Sequence, residues 1–155
     1  MATEADFEAL LRLTNSAFEV EHFFKDEDRL DAAKLESYFE KGSFLVMEEQ
    51  GSLVASVYVE RSGDRAYLGL LSVDPAQQKR GLGRRLTAAA EEFSREMGVR
   101  FMDLTVVNLR TELPPIYEKL GYHVTGTASF PVDQMPVTQP CHFICMTKEL
   151  GHRVD

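Results

Sequence analysis

Apolar residues at Phe7, Leu10, Leu11, Ala17 and Phe18 recur at helical spacing through Ala5 to Phe18, with Asp6 and Glu8 in the first turn. A second helix is predicted from about Asp31 to Lys41, with Leu35, Tyr38 and Phe39 on one side and Gly42 placed to stop it. The period then changes. Phe44 to Glu48 and Leu53 to Glu60 read as strands around the turn Glu49-Gln50-Gly51-Ser52. In the second, Val54, Ser56, Tyr58 and Glu60 alternate with Ala55, Val57 and Val59. Past the turn signal Gly63-Asp64, Ala66 to Val73 is mostly apolar, as expected of a strand buried on both faces.

Asp74 to Arg80 is a short loop before a helix with Leu82, Leu86, Ala89, Ala90, Phe93 and Met97 on one face, closed by Gly98. Phe101 to Val107 is a strand. Pro114 to Leu120 is a short helix, with proline at its first position and Gly121 after its last. Tyr122 to Phe130 and His142 to Leu150 are the final strands, joined by the loop Pro131 to Pro140. The first three strands fit a meander. The strand–helix–strand step from 66 to 107 predicts a right-handed parallel crossover. The fold class is therefore α/β, a mixed sheet with helices on its faces. No repeat or linker divides it, so residues 1–155 are expected to form a single domain.

Composition narrows the function. Hydrophobic residues make up 44%, enough for a folded core. The net charge of −8 lies wholly in residues 1–50, which hold 13 acids against 5 Lys/Arg. An acidic chain without a basic stripe argues against nucleic acid as partner. Neither a leader pattern nor an apolar run of membrane-spanning length is seen, so a cytoplasmic protein is expected, with no membrane partner. The acidic first third is a solubilising surface or a field that attracts a cation. An exposed final strand leaves a homodimer open.

Cys141-His142-x-x-Cys145 carries no expected metal. Along a strand the two cysteines share a face that His142 does not, no second ligand cluster exists, and buried free thiols are expected. The chemistry lies elsewhere, at Gln78-Lys79-Arg80-Gly81-Leu82-Gly83, between a strand and a helix start. Helix N-termini leave backbone N–H groups unpaired and partly positive, and glycines let a ligand approach the backbone. Lys79, Arg80, Arg84 and Arg85 put four cations within seven residues, with no acid among them. An anion fits there. The P-loop pattern is absent, and Leu86 stands where a dinucleotide fingerprint needs a small residue.

Val73-Asp74-Pro75 followed by Gln78-x-x-Gly81-x-Gly83 resembles the acetyl-CoA loop of the GNAT family of N-acetyltransferases. Ile116-Tyr117-Glu118-Lys119-Leu120-Gly121-Tyr122 resembles that family's second conserved block, in the right order and separation. The resemblance implies a GNAT-like sheet, mostly antiparallel, whose fourth and fifth strands splay apart; here these are 66–73 and 101–107. Gly69 would permit a bulge that starts the splay.

The resemblance further implies that acetyl-CoA is the acetyl donor and a primary amine the acceptor, by direct attack in a ternary complex. The alternative is a non-catalytic acyl-CoA-binding sensor on the same fold. Backbone groups of Leu71, Ser72 and Val73 would pair with the pantetheine arm. Backbone N–H groups of Lys79, Arg80, Gly81, Leu82, Gly83 and Arg84 would hold the pyrophosphate, with Gln78 opening the loop. Tyr117 would be the general acid for the departing thiolate. Asn108, nine residues before Tyr117, would contact CoA. Arg110 is structural or lines the site. The strand 66–73 offers no carboxylate or histidine as base; Glu60 at a strand end is a candidate, and a water-relayed proton path would need no single base. Glu19, Glu21, His22 and Asp26 lie where the family builds its acceptor site, favouring a cationic acceptor.

Overall fold

The computed structural model describes residues 1–18, 30–77, 81–129 and 141–151. The expected residues Glu19, Glu21, His22, Asp26, Gln78, Lys79 and Arg80, and the loop 131–140, lie outside the described residues.

The predicted order is the observed one. Helices α1 (Phe7–Ala17) and α2 (Ala32–Lys41) precede strands β1 (Ser43–Glu49), β2 (Ser52–Ser62) and β3 (Arg65–Val73). Then follow α3 (Leu82–Glu96), β4 (Phe101–Val107), α4 (Leu113–Lys119), β5 (His123–Ser129) and β6 (His142–Glu149). Asp31 caps α2, its carboxylate accepting from Lys34 N at 2.8 Å. Gly42 ends α2, as expected. Its backbone is extended (φ −153), not left-handed. A Cβ there would come 2.4 Å from the Val59 carbonyl oxygen and 2.7 Å from Tyr58 Oη, so glycine is required for space. The β1–β2 turn uses positive φ at Gln50 and Gly51, the geometry a tight hairpin demands.

The six strands form one sheet in the order β1-β2-β3-β4-β6-β5, with β3 and β4 its parallel pair. Helix α1 packs on β2 and β3 on one face; α3 packs on β1, β2 and β3 on the other. Covered on both faces, β2 is buried continuously from Val54 to Val59, so its alternation in sequence does not become an in–out alternation. On the α3 face, Leu82, Leu86 and Ala90 meet Val57, Leu68, Met102 and Leu104. On the α1 face, Leu10, Leu35, Phe44, Tyr58 and Leu70 form a second core.

Two ion-pair systems bind the far half of the sheet. Glu91 of α3, 5% exposed, accepts from Tyr122 Oη at 2.9 Å and from Lys148 Nζ of β6 at 2.8 Å. The carboxylate thereby joins α3, the chain after α4 and β6 at one point. Burial and then the Glu91 charge raise the Tyr122 pKa, keeping the phenol a donor. Across β3 and β4, Arg65 Nε and Nη2 grip Asp103 Oδ2 and Oδ1 at 2.7 and 2.6 Å, and Thr147 Oγ1 adds a bond at 2.6 Å. Burial alone would raise the Asp103 pKa, but the bonds from Arg65 and Thr147 outweigh it and the net shift is downward.

Replacing Glu91 by Ala strands Tyr122 Oη and the half-buried Lys148 together, so Glu91→Ala should cost about 2–3 kcal/mol. Tyr122→Phe, which leaves the charge pair intact, should cost about 1 kcal/mol. Urea unfolding checks both; equal losses would mean that Glu91 serves Tyr122 alone.

Candidate active site

β3 and β4 pair only over Arg65↔Phe101, Ala66↔Met102 and Tyr67↔Asp103. Beyond these residues the strands part, as expected for 66–73 and 101–107. The cause is an extra residue in β3. Ser56 faces Ser72 and Tyr58 faces Gly69, so two steps along β2 oppose three along β3. The left-handed backbone of this bulge is carried by Leu70 (φ 51) and not by its neighbour Gly69. Gly69 serves another need: a Cβ there would lie 2.5 Å from Cε1 of the Tyr67 ring. The bulge inverts the side-chain alternation. Leu68 lies in the α3 core, Leu70 in the α1 core, and Leu71 packs against the α3 core again. Ser72 Oγ donates to the Leu70 carbonyl at 2.9 Å, fixing the bulge from within.

The parting opens a cleft of about 830 Å³ that extends from the start of α3 to the end of α1. Leu71 and Val73 form one wall, Gly81, Leu82, Gly83 and Arg84 the start of α3, and Tyr117 of α4 the far side. On that side β3 from Leu68 onward has no strand partner, while its other edge stays paired to β2 through Ser72 and Val73. Its free edge is a template for an extended amide-bearing chain.

Gly81 is the N-cap of α3, with φ 76 and no side-chain cap. The helix bonds begin with Arg85 N donating to the Gly81 carbonyl at 3.0 Å. The N–H groups of Leu82, Gly83 and Arg84 have no i−4 partner among the described residues and point towards the cleft end of the helix. Gly81 is glycine for its backbone, since a Cβ there would touch nothing within 4 Å. Gly83 is different. Its φ is not positive, and a Cβ would rest 3.7 Å from Leu71 and Val73, an ordinary contact. Among the described residues nothing requires glycine at Gly83.

Tyr117 projects from α4 beside Tyr122, edge-on at 5.8 Å between ring centroids. It is 8% exposed yet lines the cleft. Burial pushes its pKa up to about 12, with Arg110 opposing the rise and Tyr67 adding to it. The phenol is thus protonated throughout the physiological range. Arg110, which sequence left between two roles, lines the cleft and pairs with Glu112 at 3.3 Å.

Two expected residues stand apart from this cleft. Asn108 is tied to the start of β6: its Oδ1 accepts from His142 N at 2.8 Å, and its own N–H donates to the His142 carbonyl at 2.9 Å. Glu60 lies on the α1 face, where its Oε1 accepts from Tyr58 Oη at 2.6 Å. Tyr58 is fully buried beside Tyr38 and Phe44, and burial followed by the Glu60 bond raises its pKa. Sequence reasoning missed Ala17 and Phe18 at the end of α1, which close the cleft mouth; no local motif marks them. Cys141 and Cys145 form no disulfide with each other and are half-buried, less enclosed than expected. Among the described residues no group of His, Cys, Asp and Glu can hold a metal ion, and no helix is long and apolar enough to cross a membrane.

The chain is similar to mycothiol acetyltransferase of Propionibacterium freudenreichii subsp. shermanii, 28% identical over 79% of this chain and 41% of the relative. It therefore spans about two fifths of that relative's length. In fold it is similar to the ribosomal-protein-S18-alanine N-acetyltransferase of Escherichia coli, with a TM-score of 0.79 at 18% identity, covering 99% of this chain and 94% of that one. An aminoglycoside 6'-N-acetyltransferase complexed with coenzyme A superposes with a TM-score of 0.76 at 19% identity, covering 99% and 95%. The family model of the acetyltransferase (GNAT) domain matches residues 13–139, four-fifths of the chain, and with the sheet parted above an uncapped helix start, this chain belongs to that family.

Proposed function

We propose that this chain transfers the acetyl group of acetyl-CoA to a primary amine by direct attack within a ternary complex. The observation that carries this reading is the parting of β3 and β4 over a cleft with an uncapped helix start at one end and the Tyr117 phenol at the other. An extended thiol arm with a pyrophosphate fits those two ends. The free edge of Leu71, Ser72 and Val73 pairs with the amides of the arm. The N–H groups of Gly81, Leu82, Gly83 and Arg84 receive the pyrophosphate, and Gln78, Lys79 and Arg80 complete that loop. Asn108 acts indirectly, by fixing the end of β4.

The chemistry requires two proton movements. The arriving ammonium, with an ordinary pKa near about 10, must first become neutral. Glu60, the cross-strand partner of Tyr67 beside the parting, takes that proton. The amine then attacks the thioester carbon, and a backbone N–H of β3 near Leu71 steadies the oxyanion. As the carbon–sulfur bond breaks, Tyr117 gives its proton to the sulfur. A phenol buried to a pKa of about 12 is a reservoir that neutral solution does not drain. The acceptor is a primary amine. The mycothiol acetyltransferase likeness and the acidic first third favour a small polar acceptor that carries positive charge.

Tyr117→Phe should lower kcat about 100-fold with acetyl-CoA affinity within about twofold, measured as released CoA thiol against a panel of amines. The wild-type rate should rise with pH as the amine deprotonates and then level, with no alkaline fall from Tyr117 below its raised pKa. Equal activity of the variant would remove Tyr117 from the mechanism. No turnover with any amine, beside tight acetyl-CoA binding, would instead favour the sensor. Gly83→Asp places a carboxylate at the second position of α3, where the helix dipole favours it and the fold is kept. It should lower acetyl-CoA affinity at least about 100-fold in titration calorimetry. Retained affinity would sink the pyrophosphate assignment.

A further inference from the structure

The face of the sheet away from the cleft carries a second arrangement at the same parting. α1 packs on β2 and β3 and α2 on β1. Next to them, on β4, β6 and β5, lies a trough of about 510 Å³ floored by side chains of Asp103, Thr105, Thr125, Thr147 and Glu149. The strand register explains the floor. Tyr67, Asp103, Thr147 and His123 are successive cross-strand partners and form one row across four strands. The lining mixes the apolar side chains of Phe101, Leu104 and Met146 with polar ones, and the Asp103 carboxylate within it is already paired with Arg65, which lines the same trough, and with Thr147.

Tyr67 stands where this trough meets the gap. It is the last residue of β3 paired to β4. Because Gly69 has no side chain, the Tyr67 ring lies along the strand over it, with Oη 3.1 Å from where a Gly69 Cβ would sit. That direction carries the hydroxyl past the last rung of the ladder, to 3.5 Å from Thr105 Oγ1 on the diverging strand β4. The ring packs with the α1 core, whereas Tyr117 belongs to the α3 core, so the two phenols approach the gap from opposite faces.

We propose that Tyr67 is the acceptor-side catalytic group: the acceptor lies in the trough on β4, β6 and β5, and its amine donates to Tyr67 Oη in the gap. This rests on the transfer reaction proposed above. The trough suits a small polar amine, for which Glu149 and the hydroxyls of Thr105 and Thr125 supply partners. The proton accounting gives the phenol a definite task. Attack forms the nitrogen–carbon bond, and the carbon–sulfur bond breaks as Tyr117 protonates the sulfur, leaving a phenolate. The nitrogen, cationic after attack, gives a proton to Tyr67 Oη as Tyr67 gives its own to the Tyr117 phenolate. Both phenols are restored, and no base needs to hold the second proton. Tyr67 adds to the rise of the Tyr117 pKa, after burial and the opposing Arg110 charge.

Tyr67→Phe keeps the ring over Gly69 and removes only the hydroxyl. The expected result, with released CoA thiol measured for the amine turned over best by the wild type, is a 10- to 100-fold lower kcat. The KM for acetyl-CoA and its affinity by calorimetry should stay within about twofold, a split that loss of packing would not give. The Tyr67→Phe/Tyr117→Phe double variant should be no slower than the worse single variant by more than about threefold, because both act on one proton circuit. Unchanged kcat in Tyr67→Phe overturns the proposal, and so do losses that multiply in the double variant. Either result with an active wild type leaves the transfer reaction standing. A wild type that binds acetyl-CoA but turns over no amine overturns the transfer reaction and this inference together.

Discussion

The structure turns on one extra residue in β3. A regular strand of that length would stay hydrogen-bonded to β4 along its whole edge and seal the sheet. The bulge at Leu70 rotates the strand instead, so pairing stops at Tyr67 and Asp103. A left-handed leucine costs on the order of 1–2 kcal/mol. That cost is offset locally. Leu70 is 5% exposed in the α1 core, a burial worth roughly 1.5–3 kcal/mol for such a side chain. Ser72 satisfies the carbonyl that the distortion frees. The strain is held by a packed core on one face and a hydrogen bond from within, and a bulge held in this way keeps its shape whether or not a ligand is present.

The same bulge explains why the cleft is chemically two-sided. By inverting the alternation it turns Leu71 and Val73 towards α3, giving an apolar wall, while Tyr67 before it stays on the α1 face. One strand thus contributes to both faces at the point where the sheet is open. The far half of the sheet is steadied separately, by Glu91 between α3 and β6 and by Asp103 between β3, β4 and β6. Both carboxylates sit at the paired ends of the strands. The gap therefore opens against fixed hinges, and rigid edges are what an aligned attack requires.

Much of this was legible in the sequence because it rests on period and punctuation. The order of helices and strands follows from apolar spacing, and the helix start at Gly81 from glycine after a cation-rich loop. The parting itself was legible only as a family resemblance plus Gly69. Sequence could not show that Leu70 takes the positive φ, since leucine is an unfavourable host and only the surrounding cores make it acceptable. It placed Gly42 at the end of α2 but could not show the reason for glycine there, because the clash that demands it comes from Val59 and Tyr58, seventeen and sixteen residues away. The Glu91–Lys148 pair and the trough floor are products of register across distant strands, and no local window contains them. Tyr67 was overlooked for the same reason: in sequence it is one more aromatic in an apolar strand.

The proposed placement of donor and acceptor on opposite faces of one sheet would constrain the reaction more than any single side chain does. Two substrates that enter from the same side compete for the opening, whereas a gap reached from both faces lets each bind without displacing the other. In that proposal the amine would reach the thioester carbon through the parting, at the level of Tyr67 and Thr105. The departing sulfur is then left on the α3 side, where Tyr117 stands. With the leaving group and the nucleophile on opposite faces, their protons are also released on opposite faces. A buried phenol of high pKa on the leaving-group side makes it costly to leave a phenolate there for long. The geometry therefore favours restoring that proton from across the gap within the same encounter, and a second hydroxyl at the parting is the shortest means of doing so.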